Sequence, residues 1–240
     1  MAASTVPEPG LPRRGAAVLQ SAAARAHART VAEIRPDTRL RRCVDVTAAA
    51  VLLVFLLPLL LLVALVVELT SEGPALYRQQ RVGRFGEPFT IWKLRTMVVD
   101  ADRGGPAVGG STDPRITAVG HWLRETRLDE LPQLVNLLRG DMTLIGSRPE
   151  VQRFLPCYTP REREILNTRP GVLGPGALYG ADRTDELCRA ADPDAWYAAH
   201  QLHPKLALDL AYLADRRLRT DLGLLLRTAA VVLGRALPTP

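Results

Sequence analysis

Two carboxylates, Asp129 and Glu130, stand side by side in the string LRETRLDELPQLVNLLRGDM, which runs on into TLIGSRPE. Neighbouring residues on a helix do not share a face, so such a pair can divide its labour, one attacking and the other holding a metal. Leu131, Leu134, Val135 and Leu138 follow at i, i+3, i+4 and i+7, which predicts a helix with one buried apolar face. Asp is a favoured N-cap, Pro132 is tolerated in a first turn, and Gly140 is a natural stop. Asp129 is therefore expected at or just before a helix N-terminus, where free N–H groups favour anions, phosphate included. Arg124, Arg127, Arg139 and Arg148 lie close by in sequence. On the local pattern alone, an ordinary capped helix with its acids complementing the dipole is the favoured reading.

A second pair of charges stands upstream. Ala75–Arg81 and Phe89–Arg95 read as two strands joined by the turn Val82-Gly83-Arg84-Phe85-Gly86. Strand alternation would put Lys93 and Arg95 on one side, two cations that suit a phosphate or simply a solvated face.

The elements that must position these groups follow from composition. The 240 residues can bury one core, and the net charge of +6 suits anionic partners such as a phospholipid surface or nucleotide phosphates. Lys93 and Lys205 are the only lysines, and aromatics make up 5%, which argues against a base-stacking surface; nucleic acid is not an expected partner. The three cysteines, Cys43, Cys157 and Cys188, are widely spaced and read as reduced thiols. Residues 1–38 form a basic, Ala-, Arg- and Pro-rich stretch without periodicity, expected to be a disordered tail. Val46–Val67 carries no charge and is long enough to cross a bilayer core. Pro58 in its middle is expected to break the helix, and arginines flank both ends (Arg39, Arg41 and Arg42; Arg78, Arg81 and Arg84). Both ends on the cytoplasmic face, with a bend at Pro58, satisfy these observations together. From 206 to 237 two amphipathic stretches, with the stripe Leu222, Leu225, Leu226, Ala229 and Val232, are expected either to pack on the core or to lie at the lipid interface.

The long string RETRLDELPQLVNLLRGDM with SRPE resembles the central signature of bacterial sugar transferases, the polyprenol-phosphate phosphoglycosyl transferases. GEPFTIWKLRTM resembles that family's Lys-x-Arg-Thr-Met element, and the segment from Arg41 through Gly83 its re-entrant membrane helix and the exit from it. Recognisable motifs run from about Arg42 to Leu233. The resemblance implies an enzyme moving a sugar-1-phosphate from a UDP-sugar donor to a polyprenyl phosphate acceptor such as undecaprenyl phosphate, at the cytoplasmic face of the plasma membrane. It implies Asp129 as nucleophile, Glu130 as ligand to Mg²⁺, and Asp209, in Asp209-Leu210-x-Tyr212, as part of the site. Lys93, Arg95, Arg124 and Arg148 are the candidate phosphate contacts. The implied fold is α+β and predominantly helical: a re-entrant helix over 39–70 and a small cytosolic catalytic domain over 71–240 that ends in amphipathic helices.

Three departures stand out. Leu57 occupies the place of a serine before the membrane proline, and Ser147 replaces the first proline of a Pro-Arg-Pro element. In the stretch after Gly171, Leu173, Ala177 and Ala181 stand where the family has Thr, Gln and Arg, with Arg183 a possible substitute for the last. That stretch keeps open a catalytically inert scaffold as the alternative. A basic membrane-anchored nucleic-acid binder is a third reading, without a motif to support it.

Overall fold

The computed structural model describes residues 34–103, 105–181 and 184–232. The expectations for most of the N-terminal tail, for Arg183 and for the chain beyond 232 fall outside that range. The architecture is α+β and predominantly helical, as expected.

Helix α1, Arg39–Thr70, opens at Thr38, whose hydroxyl accepts the Arg41 N–H at 3.2 Å. At 1.5 Å per residue it is about 48 Å long. The expected break at Pro58 does not occur: the helix continues through it. One missing N–H costs about 3 kcal/mol in a helix interior, and long turns of Leu and Val on either side, fastened at both ends, absorb that loss. Near its start, Arg41 pairs with Asp221 at 2.5 Å, Arg42 donates to the carbonyls of Leu137 and Leu138, and Asp45 accepts from Thr143 Oγ1 (2.7 Å) and the Leu144 N–H (3.0 Å). Near its end, Val63 and Val67 are buried against Ala75, Leu94 and Leu123. Ala49 is buried against Ile91, Leu137 and Met142, and beyond it the middle of the helix is largely exposed, with Val54 at 71% and Phe55 at 77%.

Strands β1 (Leu76–Val82) and β2 (Pro88–Leu94) form the expected antiparallel hairpin, with Tyr77 opposite Lys93. The turn carries Phe85 at φ 60° and Gly86 at φ 80°. Helix α2 (Ala118–Thr126), capped by Thr117, packs under the end of β2 through Leu123. Helix α3 (Gln133–Arg139) ends at Gly140 in the left-handed region, φ 91°, as its sequence predicts. Its buried face differs from the expected stripe. Gln133, Asn136 and Leu137 are buried, whereas Leu131, Leu134, Val135 and Leu138 are half-buried. The cause is Asn136, which donates to Thr90 O at 2.7 Å, accepts the Trp92 N–H at 3.2 Å, and so turns a polar side chain onto the edge of β2.

The rest of the chain surrounds a second core of Phe154, Tyr158, Ile165, Leu187, Leu202, Leu206 and Leu213. Short parallel strands β3 (Thr143–Ile145) and β4 (Gly171–Leu173) lead into α4 (Pro175–Ala181) and α5 (Thr184–Arg189). Then α6 (Pro193–Trp196), a π-helical stretch (Tyr197–Leu202) and α7 (His203–Ala214) follow without a gap. Helix α8 (Leu218–Val232) divides its apolar residues: Leu224 and Leu225 pack on the core, while Leu218, Leu222 and Leu226 are exposed. The three cysteines are free thiols.

Candidate active site

A cleft of about 1150 Å³ lies between the hairpin, α2 and the Arg148–Glu150 segment on one side and α4, the π-helical stretch and α7 on the other. Ala64 and Glu68 of α1 are among its lining residues. Asp129, Glu130, Lys93, Arg95, Arg124 and Arg148 all line it.

The chain brings the acidic pair into the cleft by a reversal. After α2, Arg127 adopts φ 59°, and a 3-10 turn over Leu128–Glu130 follows. Asp129 thus stands just before α3, as expected, but in a 3-10 turn of its own and not at the α-helical cap, which is Pro132. The left-handed Arg127 ends one helix, and Pro132 delays the next.

Glu130 is clasped. Arg148 donates to both of its carboxylate oxygens (Nη1 to Oε2 at 3.1 Å, Nη2 to Oε1), Lys93 Nζ lies 3.5 Å from Oε1, and Arg127 Nη1 lies 3.9 Å away. Burial alone would raise its pKa, but Arg148 and then Lys93 outweigh burial and hold the carboxyl well below the usual range. Arg148 is pushed up by the same pairing. Burial lowers the Lys93 ammonium to about 8 against the pull of Glu130.

Asp129 differs. It is 6% exposed, and its buried Oδ1 has no hydrogen-bond partner. Burial pushes its pKa up, Glu130 adds to the rise, and Lys93, Arg148 and Arg124 oppose it. The sequence pattern suggests a carboxylate kept ionised by neighbouring arginines. In the fold, desolvation is the larger effect, because those cations are drawn to Glu130 or held elsewhere: Arg124 donates through Nε to Thr96 Oγ1 at 2.9 Å.

Two expected contacts take other work. Strand β2 ends at Leu94, so Arg95 parts from Lys93 and donates to Ser71 O (2.9 Å), Ser71 Oγ (3.0 Å) and Gly73 O (2.8 Å), closing the exit of α1. Its Nε and Nη1 have no protein partner. Asp209 does not line the cleft. It is fully buried behind it and accepts from the Gly176 N–H at 2.9 Å and from Ser147 Oγ at 2.8 Å. Burial raises it to about 6 against those two bonds. A Cβ on Gly176 would stand 2.6 Å from Asp209 Oδ2, so only glycine permits this approach. Ser147, where the resemblance leads one to expect proline, fixes the loop before Arg148 by this bond instead of by a ring.

The sequence pattern missed Glu150, Tyr197 and Lys205, which also line the cleft. Glu150 Oε1 accepts from both Lys205 Nζ and Tyr197 Oη at 2.5 Å. Some fifty residues separate Glu150 from the other two, and neither Tyr197 nor Lys205 stands in a pattern that marks it. Only the place of Glu150 at the end of SRPE was a signal.

Among the described residues, no three His, Cys, Asp or Glu side chains gather into a ready metal cage. A divalent ion nonetheless fits the acidic pair, because Mg²⁺ commonly takes one or two carboxylates and completes its shell with phosphate oxygens and water. Glu130 would give such a shell its carboxylate if phosphate drew Arg148 and Lys93 away from it, with the unbonded Oδ1 of Asp129 close by.

An acidic pair among cations, in a cleft that a long apolar helix helps to line, suits chemistry on phosphate. Residues 36–235 match the bacterial sugar transferase family, and the chain belongs to that family and is a sugar transferase enzyme. It is 41% identical over 199 residues to the UDP-glucose:undecaprenyl-phosphate glucose-1-phosphate transferase of Caulobacter vibrioides, covering 80% of this chain and 69% of that protein. It is 41% identical over 129 residues to a putative undecaprenyl-phosphate N-acetylgalactosaminyl 1-phosphate transferase of Bacillus subtilis, covering 51% and 72%. With the exopolysaccharide production protein ExoY of Sinorhizobium fredii it shares 34% identity over 207 residues, covering 80% and 84%.

Proposed function

We propose that the protein transfers a sugar-1-phosphate from a UDP-sugar to undecaprenyl phosphate, releasing UMP and leaving the sugar on a polyprenyl diphosphate. The observation that carries this reading is one cleft lined together by Ala64 and Glu68 of the apolar helix α1, by Asp129 and Glu130, and by the cations around them. A lipid phosphate enters from the α1 side, and the soluble donor meets Lys93, Arg124, Arg127 and Arg148.

In the first step an Asp129 carboxylate oxygen attacks the sugar-bearing phosphorus, the bond from that phosphorus to the UMP oxygen breaks, and UMP leaves with the electron pair. In the second step an oxygen of the lipid phosphate attacks the same phosphorus and the bond to Asp129 breaks, restoring the carboxylate. Asp129 has a free oxygen for this, whereas both oxygens of Glu130 are engaged. Arg148 and Lys93 hold Glu130 until phosphates offer them a competing anion, and they then neutralise the charge that builds on the leaving group. Glu130, with Asp129 beside it, would hold Mg²⁺, which when bound supplies charge neutralisation at the diphosphate. UMP release from a panel of UDP-sugars with undecaprenyl phosphate and Mg²⁺ tests the reading; no turnover with any of them, including UDP-glucose and UDP-N-acetylgalactosamine, overturns it.

The same reading makes α1 re-entrant, with both ends on the cytoplasmic face, its return being a bend within a continuous helix and not a break at Pro58. Its two ends are fastened to one body while its middle is largely exposed, and a span would put the membrane between Arg41 and its partner Asp221. The exposed Leu218, Leu222 and Leu226 of α8 then lie at the lipid interface. Arg39→Cys and Arg84→Cys are both expected to escape impermeant label in intact cells. Labelling of position 39 alone would establish a span.

A further inference from the structure

The cleft holds a second charged group, which the mechanism above does not use. Glu150, Tyr197 and Lys205 are each under 10% exposed, and Lys205 Nζ meets both Tyr197 Oη and Glu150 Oε1 at 2.5 Å. A buried ion pair contributes little to stability compared with apolar residues of similar size, so stability alone gives a weak reason for this one. Tyr197 also opens the π-helical stretch Tyr197–Leu202, a local irregularity that occurs mostly at functional sites. Both donors converge on Oε1, which leaves Oε2 of Glu150 to accept from a ligand.

Position says which part of a donor belongs there. Glu150 lies two residues beyond Arg148, the residue that grips Glu130, and its carbonyl is fixed by the Val82 N–H at 2.9 Å. The group is therefore the next set of polar side chains along from the phosphate cations. The part lined by Ala64 and Glu68 is taken by the lipid. Gly176, Ala177 and Gly180 line the cleft beside the cluster, and Gly180 lets α4 come so near that a Cβ there would stand 3.7 Å from Lys205 Cδ. In a nucleotide sugar, the sugar hangs directly on the phosphorus that Asp129 attacks, whereas the base lies a second phosphate and a ribose away. A carboxylate, an ammonium and a phenol, all polar and with no free aromatic face between them, suit hydroxyl groups and not a stacked base.

We propose that Glu150, Tyr197 and Lys205 receive the hydroxyl groups of the donor's sugar and determine which sugar is transferred. This rests on the nucleotide-sugar reading given above. The test measures kcat/KM for UDP-glucose, UDP-galactose, UDP-N-acetylglucosamine and UDP-N-acetylgalactosamine in the full-length protein and in Tyr197→Phe, Lys205→Met and Glu150→Gln, with inhibition by UDP as a sugar-free probe. Each variant is expected to lose about 10- to 100-fold on the best sugar, the worth of one hydrogen bond to a charged group. The preference between epimers should shrink, and inhibition by UDP should stay unchanged. Equal losses on all four sugars, or UDP inhibition weakening in step, would overturn the assignment and leave the cluster a brace for Arg148. Tyr197→Phe removes a single oxygen and keeps the packing, so it carries the test if the charge variants fail to fold. Wild-type protein that turns over none of the four sinks the function reading itself; wild-type turnover with uniform losses sinks this assignment alone.

Discussion

Asp129 and Asp209 are both buried aspartates, and both belong to the site the sequence points to, yet the regions around them are built on opposite plans. Asp129 stands on a short turn in the wall of the cleft, with Oδ1 unbonded and cations nearby that are committed to Glu130. Asp209 stands on a long helix behind the cleft, with one oxygen on the Gly176 N–H and the other on Ser147. Burial raises both carboxyls. What separates them is spare bonding capacity. A buried acceptor left without a partner costs stability and is kept where a ligand will use it, whereas one with both oxygens filled is a fastening. Asp209 is thus a positioning residue, tying the loop that carries Arg148 to the start of α4.

The sharpest way to break this contrast is to remove the negative charge at each position. Asp129→Asn keeps the shape and removes the proposed nucleophile, so turnover is expected to fall by at least about 10⁴-fold, in the range seen when a covalent nucleophile is lost. Mass spectrometry of the wild type with UDP-sugar alone should find a phosphosugar on the Asp129 peptide, and the variant should lack it. UMP release that waits for the lipid acceptor, with no adduct, would instead favour direct displacement. Arg148→Ala comes next. It frees Glu130 and removes the proposed forked phosphate contact, and about 10²- to 10³-fold in kcat/KM is expected, the scale for losing one charge-stabilising donor.

Asp209→Asn should leave most activity in place and change the pH dependence of folding. With a folded pKa of about 6 against an ordinary carboxylate near 3.9, wild-type Asp209 binds its proton more tightly when folded. Its contribution to stability is complete below about pH 4 and is lost as pH rises through about 6, a change on the order of 3 kcal/mol. Asparagine does not titrate, so the gap in unfolding temperature should move in the variant's favour between pH 4 and pH 7. A constant gap would mean that Asp209 is not held up by burial. The smallest effect belongs to Arg139→Ala. Arg139 is exposed and lies 5.6 Å over the Trp92 ring, away from Glu130, so activity is expected to stay within about twofold.

Local features of the molecule were legible in the sequence. The hairpin, the apolar helix, the stop at Gly140 and the acidic pair are each specified by residues within one or two turns of one another. Three kinds of feature were not. Arg95 looked like a partner of Lys93 because alternation was carried one residue past the end of β2. The half-buried leucines of α3 were expected inside because Asn136 gives no sign, in sequence, that it bonds the backbone of a strand more than forty residues away. The Glu150, Tyr197 and Lys205 group exists only once the second core has folded α7 against the segment after β3.

The attachment of α1 has a practical consequence. Arg41, Arg42 and Asp45 bond to residues near 137, 144 and 221, and Val63 and Val67 cover Leu94 and Leu123. The greasy helix is therefore a rib of the catalytic body as well as its mooring. Trimming it away to make a soluble enzyme would strip the lining from the floor beneath β2 and take one partner each from Asp221, Thr143 and the last carbonyls of α3. An active preparation has to be lifted out of the bilayer whole, with amphiphile standing in for lipid around Val54 and Phe55.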